Sequence, residues 1–461
     1  MSARYDAIVI GAGPAGEVCA GELADGGLRV AIVERELVAG ECSFWACMPT
    51  KALLAPGEAL SRAKATPGSR GAVTGTLDIA DALAFRDRVV SGWDDTGQVG
   101  WLDGKRIELI RGTGRITGPG RVDVDGVTYE TDRIIVSTGS TPFVPPIAGL
   151  RELEGVWTNR DAASVREIPA SIVILGGGAV GVEMAQALRR FGADVTIIEG
   201  GPHLMAREPA ALGELLAEQF AAEDIDVVLG LRATACTMDG DDYVVVLDDG
   251  SERRGEKLLV ATGRTPRIER LGLETVGIEA DAHGIAVDAY MRAGDGVWAV
   301  GDCTGVMMFT HVGKYQGRIA AADILGRATP ADYRAVPRVV FTEPQLAAVG
   351  ATDGPAVATV DLASVARAYT YSIPPPKGFL SLVSDGRRLV GAYGAGPEAG
   401  EWLQQATLAI RANVPLEVVA DTIQPFPSLS EIYLKAMQEL LASCSDCLTA
   451  AETARVKVRH G

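Results

Sequence analysis

Apolar residues in this chain gather in short unbroken runs followed by glycine. Ala7-Ile8-Val9-Ile10 predicts a strand, and it runs into Gly11-Ala12-Gly13-Pro14-Ala15-Gly16. A helix then follows through Val18, Ala20 and Leu23, and a second strand from Leu28 to Val33 ends at Glu34. The pattern returns further along. Ile172–Leu175 predicts a strand, Gly176-Gly177-Gly178-Ala179-Val180-Gly181 repeats the glycine spacing, a helix runs through Met184, Ala187 and Leu188, and Val195–Ile198 ends at Glu199. In both copies the acid stands eighteen positions after the last glycine, Gly16 to Glu34 and Gly181 to Glu199.

Each part of this unit has a physical purpose. The first glycine makes a tight turn, the second lets the backbone approach a pyrophosphate, and the third lets helix pack on strand with its N-terminus facing the phosphates. The acid closing the second strand suits a ribose hydroxyl. Two full copies predict two nucleotide-binding folds. Ile134–Gly139 and Lys257–Gly263, apolar strands ending in Thr-Gly, read as closing strands, and Val297–Gly301 brings Asp302 to a strand's carboxyl end, where ligands bind in such sheets. The fold class expected is α/β: two Rossmann-like dinucleotide-binding domains plus a C-terminal α+β unit. The divisions expected are residues 1–150, 151–279, a central segment 280–335 rejoining the first domain, and 336–461. Strand-like runs at Arg338–Phe341 and Leu389–Tyr393 and helices at Ala399–Ala412 and Leu429–Ala442 belong to the last unit.

Composition narrows the function. A length of 461 residues suits about three domains. A net charge of −17 argues against a nucleic-acid partner. No apolar stretch is long enough to suggest a membrane span, and the polar start, Met1 to Asp6, does not read as a secretory signal, so a cytoplasmic location is expected. Seven cysteines, an odd number at irregular spacing, do not read as a secreted disulfide framework. The close pair Cys42 and Cys47 therefore reads as catalytic or metal-binding. None of the four histidines lies near it in sequence, which disfavours a zinc site, and no metal is expected. The pair follows a glycine turn, a spacing that lets a loop cysteine meet one in the first turn of a following helix, where the dipole stabilises a thiolate.

These residues, together with Gly40-Glu41-Cys42-Ser43-Phe44-Trp45-Ala46-Cys47-Met48-Pro49-Thr50-Lys51, resemble the flavoprotein disulfide reductases, the family of dihydrolipoamide dehydrogenase and of glutathione, mycothione and mercuric reductases. The resemblance runs from Tyr5 to about Ala442, with the motifs in the family's order. It implies FAD on the first repeat, at Gly11, Gly13, Pro14, Ala15, Gly16, Glu34, Gly40, Thr50, Lys51, Gly114, Thr138, Gly139, Gly301 and Asp302. It implies a nicotinamide nucleotide on the second, at Gly176, Gly178, Val180, Gly181, Glu183, Glu199 and Gly263. Lys51 and Glu183 would be an ion pair between flavin and nicotinamide. Cys42 and Cys47 would be the redox disulfide, Cys47 facing the flavin and Cys42 exchanging with a small-molecule acceptor. Phe341-Thr342-Glu343-Pro344 resembles the start of the interface domain, so a homodimer is implied. Glu199 suits the free 2′-hydroxyl of NADH and repels the phosphate of NADPH; NADPH stays open because Arg207 is close in sequence.

One departure bears on mechanism. The family places a histidine from the partner subunit, followed by a glutamate, where this chain has Pro425-Phe426-Pro427-Ser428-Leu429-Ser430-Glu431. Phe426 stands at the histidine position and Glu431 is retained. Acid–base help of that kind is worth about 10²–10⁴ in rate, so slow turnover of ordinary disulfides is expected. The leading reading is a reductase for an unusual acceptor. The alternative is a thiolate-dependent carbon–carbon lyase or carboxylase resembling 2-ketopropyl coenzyme M oxidoreductase/carboxylase, which also has phenylalanine there but a histidine at the position of Glu431. A bulky Phe44 and Trp45 between the cysteines suggest a drier pocket above Cys42. Cys303 reads as a packing residue, His311 receives no catalytic role, and Cys444 and Cys447 form a C-x-x-C whose spacing leaves an electron relay open.

Overall fold

The computed structural model describes residues 3 to 443. Its first sheet has six strands in the order Arg292–Gly294, Val297–Ala299, Ile134–Val136, Ala7–Ile10, Val30–Glu34 and Glu108–Arg111. All neighbours are parallel except the first pair. Ala7–Ile10 is buried at every position, as a central parallel strand covered on both faces must be. The helices Pro14–Asp25 and Thr310–Ile324 pack closely on one face, because a side chain at Gly317 would lie 2.6 Å from the carbonyl oxygen of Ala15.

The second sheet repeats the plan in the order Asp226–Leu229, Asp194–Glu199, Ser171–Leu175 and Lys257–Val260, all parallel. The third is an antiparallel sheet of five strands, Pro337–Val340, Gln345–Gly350, Leu389–Gly396, Phe379–Ser384 and Ala356–Asp361. The helix Ile432–Ser443 buries Ile432, Tyr433, Ala436, Met437 and Leu440 in the core of that unit. The architecture is thus α/β, two Rossmann-like units and a C-terminal α+β unit. No helix among the described residues is long and apolar enough to cross a membrane.

Local differences from the sequence pattern have local causes. The second strand begins at Val30 rather than Leu28, because the Leu28 amide still bonds the Leu23 carbonyl at the end of the preceding helix. The segment from Ala399 is two helices, Ala399–Trp402 and Gln404–Arg411. Leu429–Glu431 is a tight turn ahead of the last helix, closed by a capping box between Ser428 and Glu431.

Candidate functional site

A cavity of about 530 Å³ opens where the first glycine turn, the carboxyl ends of its sheet and the Gly40–Cys47 segment meet. Gly11, Gly13, Pro14, Ala15, Glu34, Gly40, Gly114, Thr138, Gly139, Gly301 and Asp302 all line it, with both cysteines at one side. Residues scattered over most of the chain are thereby brought to one surface. Gly16 has a packing task instead, since a side chain there would lie 2.0 Å from the Gly11 carbonyl oxygen.

The two closing acids are held identically. Glu34 accepts hydrogen bonds from the amides of Ala12 and Glu36, each 2.8 Å. Glu199 accepts from Gly177 and Gly201, each 2.7 Å. Each carboxylate is fixed against its own glycine turn by two backbone donors, with lone pairs left for a further donor. Gly178 begins the helix Ala179–Arg190 with open space where its side chain would be. A side chain at Gly181 would lie 2.0 Å from Gly176 O, the same packing constraint as in the first copy. Val180 is half-buried against the second core, and Gly263 has φ +126° with open space beside it.

The cavity fits an anionic dinucleotide on two observations. Gly13 and Gly139 leave open space where side chains would project, so backbone can approach a ligand there. Of the five arginines that line the wall, Arg35, Arg160 and Arg264 are ion-paired with Glu36, Glu41 and Asp302, whereas the buried Nε of Arg267 has no hydrogen-bond partner. A buried unpaired guanidinium nitrogen is costly unless a ligand anion completes it.

Cys47 is the first residue of the helix Cys47–Ala65. Cys42 lies in a short helical turn, Gly40–Phe44, rather than a loop; the turn is entered through Ala39 at φ 81° and Gly40 at φ 59°. The turn seats on the glycine loop, with the Ala39 amide 2.7 Å from Ala12 O. Both sulfurs are free thiols. Cys47 ionises first: its thiol is pulled down to about 6, most of all by the neighbouring Cys42 and then by Thr310 and Lys51, against its own burial. Cys42 is pushed well above the ordinary thiol range by its closeness to Cys47, by burial and by the charge on Cys47. Thr310, the first residue of Thr310–Ile324, has its hydroxyl 3.4 Å from Cys47 Sγ.

Lys51 Nζ is 2.7 Å from Glu183 Oε2 and stands 4.7 Å from the centroid of the Phe341 ring. The other oxygen of Glu183, whose side chain is 5% exposed, accepts from the Phe341 amide at 2.9 Å. The second Rossmann unit is therefore pinned to the helix that begins with Cys47.

Other expected residues lie elsewhere. The Thr50 hydroxyl bonds Ala46 O at 2.5 Å, closing the helix turn rather than facing the cavity. Phe426 is 76% exposed within the single chain, and Glu431 accepts from the Ser428 amide at 3.2 Å. Neither lines the cavity beside the cysteines. The expectation that Phe44 dries the space above Cys42 is overturned: Phe44 is 1% exposed and packs against Ala39 and Val90 in a small core. Trp45 instead lies under the guanidinium of Arg160 at 4.1 Å. Cys303 is fully buried and pushed up to about 12 by burial. His311 Nε2 donates to Pro337 O at 2.9 Å. Cys444 and Cys447 lie outside the described residues. Sequence reasoning missed Thr310, Asn159, Arg160 and Arg267. Only two of them carried a local signal, Thr310 at a helix start and Arg267 just beyond a Thr-Gly strand end.

Comparison with known proteins gives a consistent picture. Residues 5–317 match the family model described as pyridine nucleotide-disulphide oxidoreductase, and residues 336–437 match that of its dimerisation domain. A dihydrolipoyl dehydrogenase of Thermus scotoductus is 36% identical over 95% of this chain and 97% of its own length. A mercuric reductase of Acidithiobacillus ferrooxidans is 34% identical over 92% of this chain and 80% of its own. Among solved structures, a Cu(II) complex of the HOCl-induced flavoprotein disulfide reductase RclA from Escherichia coli aligns with a TM-score of 0.84 at 26% identity, covering 94% of this chain and 99% of that one.

Proposed function

The chain belongs to the pyridine nucleotide-disulphide oxidoreductases, FAD-dependent enzymes that draw on NAD(P)H, and from that premise we propose that it reduces a Cys42–Cys47 disulfide with NADH and delivers the electrons to a small-molecule acceptor that requires no proton from a histidine. The observation that carries this is the geometry of the pair: both cysteines line the cavity, and Cys47, the first residue of its helix, has the Thr310 hydroxyl 3.4 Å from its sulfur and its thiol held low by Cys42, Thr310 and Lys51. FAD, when bound, supplies the relay between a hydride donor and the disulfide. The chain's own residues do the rest. Gly13 and Gly139 leave room for the dinucleotide, and Arg267 would pair with its phosphates. Lys51 is held by Glu183 where it favours the Cys47 thiolate, and Glu199 selects NADH through the ribose hydroxyl.

In balance, NADH and one proton convert the disulfide to two thiols. The thiols then give two electrons to the acceptor, re-form the disulfide and release two protons. A second subunit, docked through residues 336–437, would bring its Phe426 loop over this site. Phenylalanine neither takes nor gives a proton. An acceptor whose reduction takes up no proton, such as a soft metal ion, therefore fits better than lipoamide; a quinone would instead take up the two protons that the thiols give off. The mercuric reductase relative and the copper-bound neighbour support a metal ion as one such acceptor. The carbon–carbon lyase reading resembles an enzyme with a histidine at the position of Glu431, and the glutamate in this chain weighs against it. The test is NADH turnover with lipoamide, mercuric and cupric ions and a quinone, in wild type and Cys42→Ser. Metal or quinone reduction that is lost in the variant supports the proposal; lipoamide turnover at the rate of a dihydrolipoyl dehydrogenase overturns it.

A further inference from the structure

The link between the two cysteines is held from outside by a single short helix. Asn159–Ala163 lies between the first sheet and the first strand of the second, and its N-terminus is fixed by a capping box between Thr158 and Asp161. Its first two residues reach back to the cysteine segment. Arg160 Nη2 and Nε lie 2.7 and 3.0 Å from Glu41 Oε2, and Nη2 also bonds Glu36 at 2.9 Å. The same guanidinium covers the Trp45 ring at 4.1 Å. The Asn159 amide donates to Glu41 Oε1 and to the Trp45 carbonyl, both at 2.9 Å.

The opposite side is held as well. Trp93 Nε1 donates to Phe44 O at 3.1 Å, and the guanidinium of Arg86 stands 5.2 Å from the Trp93 ring centroid. Arg86 is fully buried and bonds the carbonyls of Ala163 and Val165, at the far end of the same short helix. Residues on both flanks of the Cys42–Cys47 link are thus tied to the Asn159–Ala163 segment, on one side directly and on the other through Trp93 and Arg86. Two of the four residues between the cysteines give a carbonyl to this frame, and Glu41, next to Cys42, gives its carboxylate.

We propose that Arg160, with Asn159, is a positioning residue for the redox pair: it holds Glu41 and Trp45, and with them the segment between the two cysteines, so that the sulfurs stay side by side after the disulfide opens. Arg160 directs its hydrogen bonds to Glu41 and Glu36, not to either sulfur, so it acts through the link. The charged groups acting on the sulfurs themselves are Lys51 and Glu183 on Cys47 and Lys314 on Cys42, with the Thr310 hydroxyl beside both. A lysine at position 160 would keep the charge but lose the planar fork and most of the stacking on Trp45. The fork and the stack, not the charge alone, are what the inference requires.

The inference rests on Cys42 and Cys47 being the redox pair, and the test separates the two ideas. The holoenzyme is reduced, and its thiols are alkylated with iodoacetamide over a range of pH, with the modified peptides identified by mass. Wild type, Arg160→Lys and Asn159→Ala are compared, and Trp45→Phe, which keeps an aromatic ring under Arg160, serves as the conservative variant. Moving Cys42 away from Cys47 weakens the largest influence lowering Cys47, so its alkylation midpoint is expected to rise by about one pH unit in Arg160→Lys and Asn159→Ala and to stay put in Trp45→Phe. Asn159→Ala leaves Arg160 in place, so it reports even if the arginine variant does not fold. A wild-type midpoint near 6 that is unmoved in both variants overturns the positioning role. A wild-type protein in which neither cysteine ionises below the ordinary thiol range overturns the redox-pair reading itself.

Discussion

Thr310 gives the sharpest quantitative test of how the Cys47 thiolate is held. Its hydroxyl lies 3.4 Å from Cys47 Sγ, at the first turn of a helix whose N-terminus faces the pair. A hydrogen bond to a charged group is worth about 1.5–3 kcal/mol, and one pKa unit corresponds to about 1.4 kcal/mol. The contact is long, as sulfur contacts are, so the lower end applies and Thr310→Val should raise Cys47 by about one unit. The sign is fixed: the folded value is depressed to about 6, so removing a donor moves it up. The thiolate's long-wavelength absorbance with the flavin, which in wild type should develop above about pH 6, should then develop above about pH 7. At pH 7 the ionised fraction would fall from roughly nine-tenths to roughly half. The assay is a pH titration of that absorbance in the two-electron-reduced holoenzyme, with Thr310→Ser retaining a hydroxyl and expected to behave as wild type. A valine variant with the wild-type midpoint would refute the reasoning and leave Cys42 and Lys51 to hold the thiolate.

Three further outcomes follow from the site. Arg267→Gln should weaken FAD retention about tenfold, as loss of one charge-assisted bond to phosphate implies; reconstitution of apoprotein followed by flavin fluorescence measures it, and unchanged affinity counts against the arginine wall. Glu199→Ser should erode the preference for NADH, read as the ratio of kcat/KM for NADH to that for NADPH; an unchanged ratio removes Glu199 from cofactor choice. Phe426→His should raise lipoamide turnover at least tenfold if the partner's loop covers the pair, because acid–base assistance is worth about 10²–10⁴; no gain would mean that the loop lies elsewhere.

Much of the site was legible because its signals are local. A glycine turn, a helix and an acid eighteen positions on lie within one supersecondary unit, so spacing alone located Glu34 and Glu199. The cysteine pair was legible for the same reason. What could not be read was the packing around it. Phe44 and Trp45 look alike as bulky insertions, yet one enters the core and the other lies under an arginine 115 positions away in sequence. Asn159 and Arg160 sit in a polar connecting segment without periodicity, and nothing near them in sequence marks their target. Thr50 was named for its place in a motif, and its hydroxyl donates to Ala46 O in the first helical turn.

The central claim, that electrons pass from nicotinamide to the Cys42–Cys47 pair, is tested most directly by anaerobic titration of the purified holoenzyme with NADH while its visible spectrum is recorded. The expected result is a long-wavelength band from the Cys47 thiolate against the flavin as two electrons enter, absent in Cys47→Ser. Bleaching of the flavin with no such band at any pH above 6 would contradict the account, and would place the cysteines off the electron path.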